Sequence, residues 1–170
     1  MKIDSIWVDQ DGVLADFKKR YVQLYKSHPE IDYNSSNKKR KELHQKRFRD
    51  FIENKQFAAL EPMPDFKEGL EYLKRIHKEY KIPICILTST AKEEYLNELS
   101  IQKRYWLKKY NVPFHPVFVP GKRYKHYYSK PTRVIVDDTK STIDNWNSMG
   151  GIGIHHTSWK DTIQKINSLL

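Results

Sequence analysis

The stretch "IWVDQDGVLADF", residues 6–17, sets a short apolar run against three aspartates and a glycine. Asp9, Asp11 and Asp16 fall within eight positions of one another in a chain that is otherwise basic. The run before them, Ile3–Val8, has the length and character of a buried strand that stops where the acids begin. Two carboxylates at i and i+2 past a strand end converge on one hard cation when the chain turns out of the sheet, and Gly12 permits that turn. A carboxylate beside a divalent cation stays ionised and can attack phosphorus, while a second carboxyl group can protonate a leaving oxygen. An Asp-Gly turn with helix-capping acids explains the same letters without chemistry. Asp16 fits the capping role at the start of the next helix.

Two further apolar runs repeat the pattern. "IPICIL" (82–87) leads into Thr88 and Ser89, and "RVIV" (133–136) leads into Asp137 and Asp138. "PVFV" (116–119) and "GIGI" (151–154) supply a fourth and a fifth expected strand. Between them lie helical periods. In "DFKEGLEYLKRIHKEY" (65–80), Phe66, Leu70, Leu73 and Ile76 recur at spacings of three and four. In "SWKDTIQKINSLL" (158–170), Ser158 caps a helix with Asp161 three residues on. Short apolar strands alternating with helices predict a parallel α/β sheet covered on both faces. Ligands of such sheets bind outside the carboxyl ends of the strands. All three strong strands end there in groups suited to a metal or a phosphate. A hydroxyl with free backbone N–H groups, as at Thr88-Ser89, suits a phosphate oxygen, and adjacent acids such as Asp137-Asp138 repel unless a cation neutralises them.

Composition sets the remaining bounds. A chain of 170 residues holds one domain with room for a small insertion. Its 31 Lys and Arg against 21 Asp and Glu give a net charge of +10, which attracts anions such as nucleotides or nucleic acid. The single cysteine, Cys85, excludes an internal disulfide and fits a reducing compartment. No apolar run approaches the ~20 residues of a membrane span, and no signal-peptide core follows the first methionine, so a soluble, cytoplasmic protein is expected. The charge is unevenly spread: residues 18–49 hold eleven Lys/Arg and three Asp/Glu, leaving +8. Within "NSSNKKRKELHQKRFRDFIENKQF" (34–57) a polar turn precedes a charged helix, readable either as a solvated hairpin or as a lid over the strand ends.

The order strand–DxDG, strand–TS, strand–DD resembles that of the haloacid-dehalogenase-like phosphatases. "DGVLADF", "LEPMP" (60–64), "QKRYWLKKY" (102–110) and "VDD" narrow the resemblance to the 5′(3′)-deoxyribonucleotidase branch. It implies a Rossmann-like α/β core, residues 1–17 and 61–170, with a small basic helical cap, residues 18–60. It implies Mg²⁺ as cofactor, Asp9 as nucleophile, and Asp11 as general acid/base that also lends its backbone carbonyl to the metal. Asp138 would be the acidic metal ligand with Asp137 in support, Thr88 and Ser89 would hold the phosphate, and Phe17 would face the base. The phosphate-neutralising lysine has two candidates. Lys103 is in helical phase with Leu99, Trp106 and Tyr110 and is favoured, while Lys125 precedes the last acidic strand. Two departures bear on substrate: Gln10 replaces the usual apolar residue between the aspartates, and Thr139-Lys140 follows the paired acids where the branch often has Arg. The activity implied is hydrolysis of (deoxy)nucleoside monophosphates. Two alternatives stand beside it: a phosphatase for the 5′ or 3′ phosphate ends of DNA or RNA, bound through the basic cap, and a non-catalytic nucleic-acid-binding module. A small-molecule nucleotide is the expected partner, a membrane is not, and a dimer is compatible with the pattern.

Overall fold

The computed structural model describes residues 2–170. Five parallel strands form one sheet in the order β3-β2-β1-β4-β5. They are β1 (Ser5–Val8), β2 (Ile84–Ser89), β3 (His115–Val119), β4 (Arg133–Asp137) and β5 (Ile152–His155). All five expected strands are present, with shifted ends. Ile3 is buried but lies outside β1, and β2 runs on through Thr88 and Ser89, which pair with Phe118 and Val119. Seven α-helices accompany them: α1 (Phe17–Tyr25), α2 (Pro29–Tyr33), α3 (Lys38–Glu53), α4 (Phe66–Tyr80), α5 (Leu96–Lys109), α6 (Lys140–Ser148) and α7 (Trp159–Asn167). Short 3-10 helices cover Gln56–Ala59, Glu93–Tyr95 and Lys122–Tyr128. No helix among the described residues is long and apolar enough to cross a membrane.

Strand alternation divides the core. Ile6, Val8, Ile84, Ile86, Val134 and Val136 face the larger half, with residues of α4, α5 and α7. Trp7, Leu87 and Ile135 face the smaller, with Ile143 and Trp146 of α6 and the rings of Tyr124 and Tyr128. Three of the helices, α1, α3 and α7, begin on a capping side chain. Asp16 accepts from Lys19 N and Ser158 from Asp161 N, as the spacing of those residues predicts. Several end on non-glycine residues in left-handed backbone: Lys26 after α1, Lys55 just past α3, Lys81 after α4 and Asn111 just past α5, with φ between 54° and 57°.

Helices α1–α3 are inserted between β1 and β2, starting at Phe17, one residue before the expected boundary. Asp32, only 2% exposed, locks them by accepting from Tyr21 Oη (3.1 Å), Ser27 Oγ (2.9 Å) and Arg47 Nη1 (3.1 Å). The insert is fastened to α5. Phe57 N donates to Gln102 Oε1, Gln102 Nε2 donates to Ile52 O, and Trp106 Nε1 donates to Leu60 O at 2.8 Å.

His156 is buried after β5, its Nδ1 2.7 Å from Thr162 Oγ1 and its ring against Trp159. Burial pushes its pKa below the ordinary 6.5, with Asp65 and Asp161 pulling the other way. The unfolded chain therefore takes up this proton more readily than the folded one. The stability it contributes is full above about pH 6.5 and is lost as pH falls toward the folded value. The melting temperature is expected to drop on acidification below that point, and His156→Gln to flatten the drop. An unchanged slope would show that His156 is not a source of it.

Candidate active site

Strands β1 and β4 are neighbours, yet the chain leaves β1 toward β2 and leaves β4 toward β5. Their carboxyl ends therefore flank the switch point of the sheet, where loops diverge and open a crevice. Asp9 follows β1 directly, its N–H donating to Val136 O at 2.9 Å. Asp137 ends β4 and Asp138 follows. These three carboxylates each offer an oxygen within 4.8 Å of the others.

Gly12 makes the convergence possible. Its φ is +81°, and a Cβ there would overlap the Asp138 carboxylate. The turn is closed by Gly12 N to Ala15 O (2.8 Å) and by Leu14 and Ala15 N–H groups sharing Gln10 O.

Two buried lysines serve the acids. Lys125, 1% exposed, lies 2.8 Å from Asp9 Oδ1 and 2.7 Å from Asp137 Oδ2. Burial alone would lower its pKa, but Asp137 and Asp9 outweigh that and hold it above the ordinary 10.5. Lys103, 2% exposed, donates to Asp11 Oδ2 (2.7 Å), Thr88 Oγ1 (2.7 Å) and Ser89 O (2.8 Å), which uses all three of its donors. It also lies 5.3 Å from the centre of the Phe57 ring. The helical phase that turns Lys103 inward is present, and both sequence candidates reach the site. Only Lys125 touches Asp9.

The charges around Asp9 do not balance. Three carboxylates face one ammonium at close range, so two negative charges are uncompensated. The consequence shows in the acids. Burial first, then Asp9, raise Asp137 above the ordinary carboxylate range against the pull of Lys125. Asp138 is exposed as a residue at the mouth, but its carboxylate packs against Gly12. That desolvation, then Asp9 and Asp137, push its pKa up to about 7. Three hard oxygen donors with a surplus of two negative charges fit a divalent, oxygen-preferring cation such as Mg²⁺.

The remaining predicted residues are also close. Thr88 is fully buried under Lys103, and Ser89 Oγ accepts from Ala91 N at 3.0 Å. Gln10, 1% exposed, donates from its backbone to Asp9 Oδ1 (2.8 Å) and from Nε2 to Lys103 O (3.2 Å). Asp11 Oδ1 and Gln10 Oε1 are buried without a hydrogen-bond partner among the described residues. Phe17 opens α1 and lies parallel to Phe57 (5.4 Å, 2°), with Phe51 and Phe48 edge-on. One face of its ring is thus already covered. Two residues at the site escaped the sequence reading: Lys122, which donates to Thr139 Oγ1 at 3.0 Å beside Asp138, and Phe57. The three-residue spacing of Lys122 and Lys125 was the available signal. A surface depression of about 740 Å³, lined by Pro64, Glu68, Tyr72 and Ile163 among others, lies over α4 and α7 and includes none of these residues.

Solved structures share this architecture. The chain is similar to D,D-heptose 1,7-bisphosphate phosphatase from Burkholderia thailandensis, at 10% identity and a TM-score of 0.52 over 99% of each chain. A hydrolase from Streptococcus pneumoniae matches at 14% identity and 0.54, over 98% of this chain and 100% of that one. A haloacid dehalogenase-like family protein from the same species matches at 14% and 0.53, over 89% and 83%. No protein-family model matches the sequence, and no curated protein does. At such identities the likeness establishes the fold: a Rossmann-like α/β fold of the haloacid-dehalogenase type.

Proposed function

We propose that the chain is a Mg²⁺-dependent phosphomonoesterase that forms an aspartyl-phosphate on Asp9, with a nucleotide as its minimal substrate. One observation carries the reading: at the sheet's switch point, three acids with a two-charge deficit adjoin a hydroxyl strand end and two buried lysines. Asp9 Oδ1 is held by Gln10 N and Lys125, while Oδ2 takes no hydrogen bond from the described residues and is the oxygen available for attack.

The chemistry then follows from placement. Asp9 attacks phosphorus in line with the ester oxygen, and Asp11 gives that oxygen its proton as the P–O bond breaks. Asp11 next takes a proton from water, whose oxygen attacks the phosphorus of the aspartyl-phosphate. Inorganic phosphate leaves and both carboxyl groups are restored. General acid/base assistance of this kind contributes ~10²–10⁴-fold. Asp11 Oδ1, which has no hydrogen-bond partner among the described residues, has its bonding capacity free for the ester oxygen. Thr88, Ser89 and the lysines hold phosphoryl oxygens, and here the lysines differ. Lys103 must release a partner to do so, whereas Lys125, with two acceptors, has a third N–H to offer. We therefore assign the primary phosphate contact to Lys125 and the orientation of Asp11 to Lys103. Asp9 and Asp138, with Asp137 in support, would hold Mg²⁺, which would supply charge stabilisation to the phosphoryl oxygens.

A nucleotide, with the nucleoside monophosphate as its smallest form, is the finer reading, supported by the resemblance of "DGVLADF" and "LEPMP" and by the rings of Phe17, Phe48 and Phe57 gathered within the basic insert. Adding Mg²⁺ to chelator-treated protein is expected to restore hydrolysis of aryl phosphate and deoxynucleoside monophosphates. It should also raise the melting temperature, because a ligand at ~100 times its Kd stabilises the folded state by ~2.7 kcal/mol. Asp138→Asn should lose both responses. Full activity in EDTA would sink the metal requirement, and absence of any phosphatase activity would favour a binding module.

A further inference from the structure

The 3-10 helix Lys122–Tyr128 presents two faces with different characters. Residues three apart eclipse one another in such a helix. Lys122, Lys125 and Tyr128 form one row: the buried Lys125 reaches Asp9 and Asp137, the exposed Lys122 reaches Thr139, and the Tyr128 ring packs 5.2 Å from Trp7. Tyr124, half-buried against the smaller half of the core, and the exposed Tyr127 form the second row, their rings 6.2 Å apart and inclined by 30°. Arg123 lies over Tyr124 at 4.9 Å and donates to its hydroxyl, and His126 lies against Tyr127 at 4.4 Å. Tyr127 is 70% exposed at the open end of this stack. Hydrolysis of a small phosphate ester makes no use of such a row.

The surface continues round the mouth. Gly121 adjoins both the Tyr124 ring and the carbonyl of Ala91, in the loop after β2. Tyr95 at the end of that loop packs on Phe48 of α3. Beyond it α3 exposes Lys38, Lys39, Lys41 and Lys46, none with an acid in ion-pair range among the described residues. Stacked aromatics beside an unneutralised basic track are the two elements by which single strands are held: every base has a face to stack, and the lysines follow the phosphates. A mononucleotide has no second phosphate for that track.

We infer that the chain binds single-stranded polynucleotide across Arg123, Tyr124, Tyr127 and the basic face of α3, and that its substrate is the phosphate monoester at a strand end. The second half of this statement rests on the phosphomonoesterase reading; the binding surface does not. The test separates them. A fluorescent oligothymidylate of about 12 nucleotides without terminal phosphate reports the surface alone. Binding is expected to weaken with log salt at a slope of about −0.7 per contacted phosphate. The double variant Arg123→Ala/Tyr127→Ala should bind about tenfold more weakly or worse. Lys74→Ala/Lys78→Ala, which removes more charge from exposed positions of α4, should bind as the unmodified protein does. An oligouridylate arm tells DNA from RNA preference. The 5′- or 3′-phosphorylated oligomer should exceed dTMP in kcat/KM. Duplex bound as tightly as single strand, or undiminished binding by the Arg123/Tyr127 variant, overturns the surface. Intact oligonucleotide binding with no hydrolysis of aryl phosphate overturns the phosphatase and supports the surface; a mononucleotide preferred over the phosphorylated oligomer overturns the strand-end substrate.

Discussion

Asp9→Asn is expected to lower kcat for every phosphate monoester by roughly 10⁴–10⁶-fold, the scale seen when a nucleophile that acts as part of a unit is removed. The loss should appear in kcat with KM little changed, because binding still has Lys125, Thr88 and Ser89. The variant should fold. Asn keeps an oxygen for Gln10 N, Lys125 keeps Asp137 at 2.7 Å, and one of three mutually repelling carboxylates becomes neutral. Its melting temperature should therefore match or exceed that of the unmodified protein. Rapid-quench trapping with ³²P-labelled substrate should find label on the unmodified chain and none on the variant. Turnover by Asp9→Asn within tenfold of normal would end the aspartyl-phosphate mechanism.

Lys125→Met should act in the opposite way, on folding before chemistry. It leaves Asp9 and Asp137 buried together with no counter-charge, and breaking a buried pair from one side costs about 3–5 kcal/mol. At this chain length each kcal/mol moves the melting temperature by about 2–4 °C. Adding Asp137→Asn should recover much of the loss, since the stranded charge is what costs. A double-mutant cycle without coupling would refute this account. Lys103→Met should cost less, because Asp11 keeps a quarter of its side chain in solvent. In the unmodified protein, Lys125 is held above its ordinary 10.5 by Asp137 and Asp9 against the opposing effect of burial. Its contribution is thus complete below about pH 10.5 and fades only as the solution becomes more alkaline.

The parts of this site that could be read from the letters are those that follow a simple period. Buried parallel strands are continuous apolar runs, so Asp9, Thr88 and Asp137 stood out as the first polar residues after them. Lys103 was visible because a lysine on an apolar helical stripe must have a partner. Lys125 was harder, since a 3-10 segment repeats every three residues and "GKRYKHYYSKP" reads as an ordinary basic loop. Its contact with Asp9 depends on tertiary placement. Gln10 reads in the sequence only as a substrate-binding candidate, and its structural role has no local signal. Its amide holds the Lys103 carbonyl 93 residues away, a link between the first strand and α5 that no local pattern contains. The stack of Phe17 on Phe57 was equally hidden, because Phe57 lies in a 3-10 turn at the far end of the insert.

The left-handed residues at the helix ends carry a consequence for how far this protein can be improved. Glycine is the residue that adopts such backbone without cost, yet Lys26, Lys55, Lys81 and Asn111 occupy these positions. A lysine there costs about 1 kcal/mol or somewhat more, and asparagine, which tolerates this backbone, costs less. Three of the four are lysines, so at these helix ends the protein holds positive charge where it could have had relaxed backbone. Glycine at Lys26, Lys81 and Asn111 offers an engineer a reserve of thermal tolerance remote from Asp9 and its partners. The charge surrendered would be a small part of the +10 that draws anions to the surface.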